Sequence, residues 1–209
     1  MTARKLRFSL LMSLLLASCA NVASDFKFDP AKPTGLVIGS ISYESGLGKF
    51  YLYATSPSAP RPVSFVFGCS LWPCIEPSDD SSFSASETPK QRGGGFAVEV
   101  PEGTYRLVGW SVIRGALQSR STSPIDIEFI VERGKATYIG NLHFDAHWED
   151  VQLRDKASRD LPLLQEKYAA LKTTPLSFAI ASGTVLKGIG GTFQTRMEGP
   201  IYMPIVRVR

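Results

Sequence analysis

Phe96-Ala97-Val98-Glu99-Val100-Pro101-Glu102-Gly103-Thr104-Tyr105-Arg106-Leu107-Val108-Gly109-Trp110-Ser111-Val112 reads as two extended segments joined by a tight turn. In the second segment Tyr105, Leu107 and Gly109 face one way and Arg106, Val108 and Trp110 the other, the two-residue period of a strand. Pro101-Glu102-Gly103 supplies the turn, because proline presets φ and glycine tolerates positive φ. A domain built of such segments is predicted to be mainly β.

Outward from this pair the same grammar repeats. Upstream, Leu36, Ile38 and Ser40 alternate against Val37, Gly39 and Ile41. Ser45-Gly46-Leu47-Gly48 then turns into Phe50, Tyr51, Leu52 and Tyr53, which predicts a hairpin, and Val63 to Phe67 adds a third strand. Downstream, Ile125 to Val131, the turn Glu132-Arg133-Gly134-Lys135 and Ala136 to Phe144 read as another hairpin. Short aromatic and β-branched runs between Gly and Pro turns favour an antiparallel β-sandwich over an α/β sheet.

One helix, over about residues 160–172, interrupts the strands. Asp160 or Leu161 is expected as N-cap, with Pro162 in the first turn and Leu161, Leu164, Tyr168 and Leu171 at helical spacing. Beyond Pro175, Leu176 to Ile180, Thr184 to Leu186 and Tyr202 to Val208 read as further strands, with a turn at Gly188-Ile189-Gly190-Gly191. Two loops stand out, Ser56 to Pro62 and the Ser-rich Cys74 to Gly95. The second is long enough to be mobile or functional.

The amino terminus carries an address. Arg4, Lys5 and Arg7 stand at the head of a nearly unbroken apolar run from Leu6 to Ala17, the pattern of a secretory signal peptide. A helix needs about twenty apolar residues to span a bilayer, so this run is too short for a permanent anchor. Leu16-Ala17-Ser18-Cys19 resembles the bacterial lipobox, in which small residues precede a Cys whose thiol takes a diacylglycerol before cleavage. Residues 1–18 are therefore expected to be a lipoprotein signal peptide, and Cys19 the lipidation site, carrying diacylglycerol and an N-acyl chain. Residues 19–34 would be the lipidated Cys and a flexible tether, and 35–209 the β-sandwich domain. Ala20 stands where inner-membrane lipoproteins commonly carry Asp, which points to the outer membrane of a Gram-negative cell with the domain facing the periplasm.

Pro101-Glu102-Gly103-Thr104-Tyr105-Arg106-Leu107, Phe129-Ile130-Val131-Glu132-Arg133-Gly134-Lys135 and Tyr138-Ile139-Gly140 resemble a pattern in uncharacterised bacterial envelope lipoproteins. Those proteins carry a prealbumin-like or carboxypeptidase-regulatory-like β-sandwich. The resemblance covers about residues 35–172 and implies a fold and an envelope location, but transfers no catalytic residue. The stretch from Pro175 onward departs from it.

Several residues are candidates for chemistry. With Cys19 committed to lipid, Cys69 and Cys74 remain, and a disulfide between them is expected in an oxidising compartment. A ring that small shapes its own loop more than it stabilises a domain. Trp72, inside that ring, is the aromatic residue least needed by a core and the favoured partner contact; Tyr43, Phe50, Tyr51, Tyr53 and Trp110 are others, with sheet core the competing reading for most of them. His143, Asp145 and His147 alternate, so on a strand two imidazoles and a carboxylate could converge on a metal. The competing reading is a solvated or hydrogen-bonded pair of His in an ordinary polar loop. No Gly-x-Ser-x-Gly occurs, and Gly46-Leu47-Gly48-Lys49 lacks full phosphate-loop spacing.

Composition closes off other classes. The chain has 209 residues, 44% hydrophobic and 11% aromatic, which excludes wholesale disorder. Its formal charge of +4 comes from 23 basic and 19 acidic side chains. Arg4, Lys5 and Arg7 leave with the signal peptide, so 20 basic residues face 19 acidic ones, a balance of +1 that argues against nucleic acid. The expectation is a lipid-anchored envelope protein with a non-enzymatic binding or structural role and no bound cofactor, partnered by the membrane and by an envelope protein or peptidoglycan. The alternatives are a metal-binding protein or metal-dependent enzyme using His143, Asp145 and His147, and a carbohydrate or peptidoglycan-associated module using exposed aromatic rings.

Overall fold

Short alternating runs cannot bury their apolar faces singly, and the chain answers by stacking two sheets. The computed structural model describes residues 21–45, 48–68, 92–145 and 150–197. In chain order these hold β1 (Thr34–Tyr43), β2 (Lys49–Thr55), β3 (Val63–Gly68), β4 (Arg92–Pro101), β5 (Gly103–Arg114) and β6 (Leu117–Ser121). β7 (Ile127–Val131), β8 (Ala136–Phe144) and β9 (Val151–Arg154) follow, then the helix α1 (Ala157–Lys167) and a 3-10 turn at Ala169–Lys172. β10 (Leu176–Phe178), β11 (Val185–Leu186) and β12 (Phe193–Met197) complete the described chain.

Sheet A runs β11-β9-β8-β1-β4, with β10 also on β8; sheet B runs β12-β6-β5-β2-β3, with β7 also on β5. Most pairs are antiparallel, but β1 and β10 both lie parallel to β8. Among the described residues the observed fold is thus the mainly β sandwich with one helix. The inner faces meet in a core of Val37, Ile41, Phe50, Leu52, Phe65, Phe96, Leu107, Trp110, Leu142 and Phe144, among others. Trp110 sits edge-on to Phe144 at 5.4 Å between centroids, and its indole N–H donates to Ile189 O at 3.0 Å. Large aliphatic and aromatic side chains buried this way contribute about 1.5–3 kcal/mol each. Tyr43, Phe50 and Trp110, three of the surface candidates, are therefore core residues.

Several turns do a different job from the one their residues suggest. The turn before β2, the Glu102 turn and the Glu132–Lys135 turn each carry the chain from one sheet to the other, so they close no hairpin. The Gly134 N–H donates to Thr34 O and the Leu36 N–H to Lys135 O, which ties the last of these turns to β1. Hairpins form instead at β2–β3, β5–β6 and β8–β9.

The outer face of sheet A has its own cover. Leu36, Ile38, Ala97, Ala136 and Tyr138 pack beneath Leu164 of α1, Leu171 of the 3-10 turn and Tyr168 between them. Val22, Phe26 and Phe28 join the same cluster. Residues 21–33, expected as a flexible tether, thus lie against the domain: Asn21 Oδ1 accepts from the Ala97 N–H at 3.0 Å, and the Val22 N–H donates to Ala97 O at 2.8 Å. Their apolar residues recur too sparsely to show a period, yet Val22, Phe26 and Phe28 reach the flank of the sheet. The helix also begins earlier than expected, at Ala157, with Lys156 at the N-cap and Pro162 inside. Asp155 Oδ1 accepts the Ala157 N–H at 3.0 Å and secures that start. Among the described residues no helix is long and apolar enough to cross a membrane.

Candidate functional site

Where β1 and β8 run side by side, their outer face changes character from apolar to polar. On β1 the even positions face outward throughout, giving Leu36 and Ile38 and then Ser40 and Ser42. On β8 the register slips by one residue opposite Ile38 to Ser40, and Gly140 adopts φ +102°. This is a β-bulge: Tyr138 faces outward below it, Asn141 and His143 above it. A Cβ on Gly140 would meet Ile180 Cδ1 at 2.7 Å and Arg154 O at 3.1 Å, so glycine is required.

The bulge assembles a buried polar cluster. Ser40, Ser42, Asn141, His143 and Asp160 are each at most 2% exposed. Asp160 Oδ2 accepts from Ser40 Oγ at 2.5 Å and from Tyr138 OH at 2.6 Å, while Oδ1 accepts from Arg159 Nε at 2.8 Å. A buried carboxylate is tolerated only when so well supplied with donors. Burial, and then the facing Asp160 carboxylate, push the Tyr138 hydroxyl far above its ordinary range. Asn141 Nδ2 donates to Ser40 Oγ at 2.7 Å, and its Oδ1 accepts from Arg154 Nη2 at 3.0 Å. The network continues to Ser42, whose hydroxyl lies 3.0 Å from both Asn141 Oδ1 and His143 Nδ1.

His143 therefore has both ring nitrogens engaged, because Nε2 lies 3.2 Å from Glu44 Oε1. If Ser42 donates to Nδ1, the imidazole is neutral and donates from Nε2 to Glu44; if Ser42 donates to Asn141, both nitrogens donate and the ring is cationic. Ser42, His143 and Glu44 thus follow the order nucleophile, base, acid. Their accessibility runs the wrong way for catalysis, since Ser42 is fully buried and the Glu44 side chain is 22% exposed. A substrate would meet the acid and not the hydroxyl.

Asp145 lies just past the end of β8, and its Oδ1 is buried with no hydrogen-bond partner among the described residues. Among those residues no three His, Cys, Asp or Glu side chains gather as a metal-holding group. His147, the third member of the expected triad, lies outside the described residues, as do Cys19, Cys69, Trp72 and Cys74. Ser40, Ser42, Asn141, Arg154 and buried Asp160 were not anticipated. For those on strands the one sequence signal is polar residues at alternate positions of otherwise apolar runs. Asp160 lies on the helix, 120 residues from Ser40, and gives no such signal in sequence.

The outer face of sheet B is of another kind. Tyr51 and Tyr53 lie half-buried on β2 with ring planes 5° apart and centroids 6.0 Å apart. Lys49 Nζ stands 5.9 Å from the Tyr51 centroid, and Tyr53 OH bonds Ser111 Oγ at 2.8 Å. Arg120 stands in register with Ser111, which is in register with Tyr51. At the end of the same strand, Thr55, Ser56, Tyr105, Arg106 and Glu128 border an open cleft of about 430 Å³.

No family model and no curated protein matches the chain. Among solved structures, a leucine-rich repeat protein from Bacteroides thetaiotaomicron VPI-5482 is similar at 16% identity and a TM-score of 0.33. The match covers 56% of this chain and 14% of that one. Likeness at that level carries no inference about fold or role, and the fold assignment rests on the strand pairing above.

Proposed function

We propose that this is a lipid-anchored protein of the bacterial cell envelope whose β-sandwich serves a non-enzymatic binding or structural role. The observation that carries the reading is Cys19, set directly behind Leu16-Ala17-Ser18 and a basic, apolar leader. One acyl chain anchors a protein marginally and two or three do so stably, since each buried methylene contributes about 0.8 kcal/mol. Ala20 directs the proposal to the outer membrane. The likeness to envelope lipoproteins with prealbumin-like or carboxypeptidase-regulatory-like sandwiches belongs to the same proposal. A non-enzymatic role is supported by the buried position of the Ser42 hydroxyl and by the use of Asp160 and His143 as internal hydrogen-bonding hubs.

Of the surfaces available for binding, the outer face of sheet B suits a sugar best. Two partly exposed tyrosine side chains lie side by side there, and the neighbouring cleft lies within the size range of small-ligand sites. Trp72 and the expected Cys69–Cys74 disulfide would belong to a second contact loop. The test of the anchor is metabolic labelling with a radioactive fatty acid and fractionation. Wild-type protein is expected in the membrane fraction carrying label, and Cys19→Ala protein is expected unlabelled and soluble. Label and membrane association persisting in Cys19→Ala would overturn the proposal.

The Asp145 oxygen beside β8, buried with no hydrogen-bond partner among the described residues, favours one second reading, a metal site formed by His143, Asp145 and His147. Engaging His143 would require it to give up Glu44 or Ser42. Zinc titration of the wild-type protein against His143→Ala and His147→Ala variants decides it. Equal binding by all three removes the metal reading, and loss of binding in both variants replaces the first reading with this one.

A further inference from the structure

The lipidated residue and the first docked residue are separated by Ala20 alone. Asn21 accepts from the Ala97 N–H and Val22 donates to Ala97 O, both on β4, the outermost strand of sheet A. Val22, Phe26 and Phe28 then pack on the outer face of that sheet, and Ser24 O accepts the Ala169 N–H. The chain is thus fixed to the domain from its first described residue. Consecutive Cα atoms are ~3.8 Å apart, so Cys19 reaches no more than about 8 Å from Asn21.

That reach can be set against the membrane. A bilayer of about 40–45 Å with a hydrocarbon core of about 30 Å leaves a headgroup layer of only about 5–7 Å on each side. Acyl chains on Cys19 lie in the core, so their attachment point sits at its boundary. The covalent path to Asn21 is then spent within the headgroup layer. No length remains for a solvent gap between lipid and domain.

We infer that the Asn21–Ser24 segment, docked over buried Ala97 at the β4 edge of sheet A, is a lipid-headgroup contact surface against which the domain is held without a spacer. The inference rests on lipidation of Cys19. It also sets the far edge of sheet A apart: β11 lies four strands from β4, about 19 Å at ~4.8 Å per strand. Val185, on β11, is 52% exposed and marks that distant edge.

The experiment uses the full lipidated chain in outer-membrane-lipid vesicles containing a headgroup-attached quencher. A Cys69→Ser, Cys74→Ser background receives a fluorophore through Ser24→Cys or Val185→Cys. Quenching is expected to be several-fold stronger at position 24 than at 185. A long Gly-Ser spacer inserted between Ala20 and Asn21 is expected to abolish that difference while the protein stays bound. Equal quenching at the two positions in vesicle-bound protein without the spacer overturns the surface and leaves the anchor intact. Failure of the protein to bind vesicles, or binding that survives Cys19→Ala, removes the anchor and the surface with it. Circular dichroism and thermal melts of each labelled variant identify any that fail to fold, and Glu99→Cys on β4 then replaces Ser24→Cys.

Discussion

Gly140 sets which side chains of β8 face the core and which face outward, because the bulge it permits shifts the phase of the strand by one residue. Without that shift Leu142 and Phe144 would leave the core and His143 would enter it. Gly140→Ala places a Cβ against Ile180 and the Arg154 carbonyl at a φ that L-residues rarely adopt. Urea denaturation should show a loss of about 1–3 kcal/mol, the cost of one such strained position. A loss near zero would mean the bulge is not maintained. Tyr138 offers a test by pH. Its folded pKa is raised above the unfolded value of 10.0, so its contribution is fully present below pH 10 and is lost as pH rises past it. Stability should therefore fall on the alkaline side of pH 10. In Tyr138→Phe that fall should be shallower, with about 1.5–3 kcal/mol already missing at neutral pH through the lost bond to the Asp160 carboxylate. Melts from pH 7 to 11 check both.

At the level of elements, strands were legible and their partners were not. Alternation at Tyr105 to Trp110 and aromatic runs such as Phe50 to Tyr53 announce extended chain, since a period of two is a property of each strand alone. Glu132-Arg133-Gly134-Lys135 has hairpin chemistry, but a turn specifies its own dihedrals and not the sheet its second strand will join. That choice is made by the core, where Phe129 of β7 and Ile139 of β8 approach from opposite sheets. The helix shows the same limit. Pro162 lacks an N–H and is read as a first-turn residue, yet α1 begins before it because Asp160 and Leu164 are pinned to the sheet below. The polar cluster was invisible for a related reason: Ser40 and Asp160 are 120 residues apart in sequence. His143 alone signalled it, through an alternation with Asp145 that suggested a metal, while its observed partners are Ser42 and Glu44.

For the whole molecule, the sandwich supplies two unlike outer surfaces. Sheet A is covered by α1 and by Val22, Phe26 and Phe28; sheet B carries the partly exposed Lys49, Tyr51 and Tyr53 on its outer face. Under the proposed function, an anchor at the first surface would leave the second free for binding. The central claim is the anchor, and intact mass spectrometry of the mature amino terminus purified from the envelope tests it most directly. The account predicts a chain beginning at Cys19 that carries diacylglycerol and an N-linked acyl chain. A mature chain with an unmodified Cys19, or one retaining residues 1–18, would contradict it.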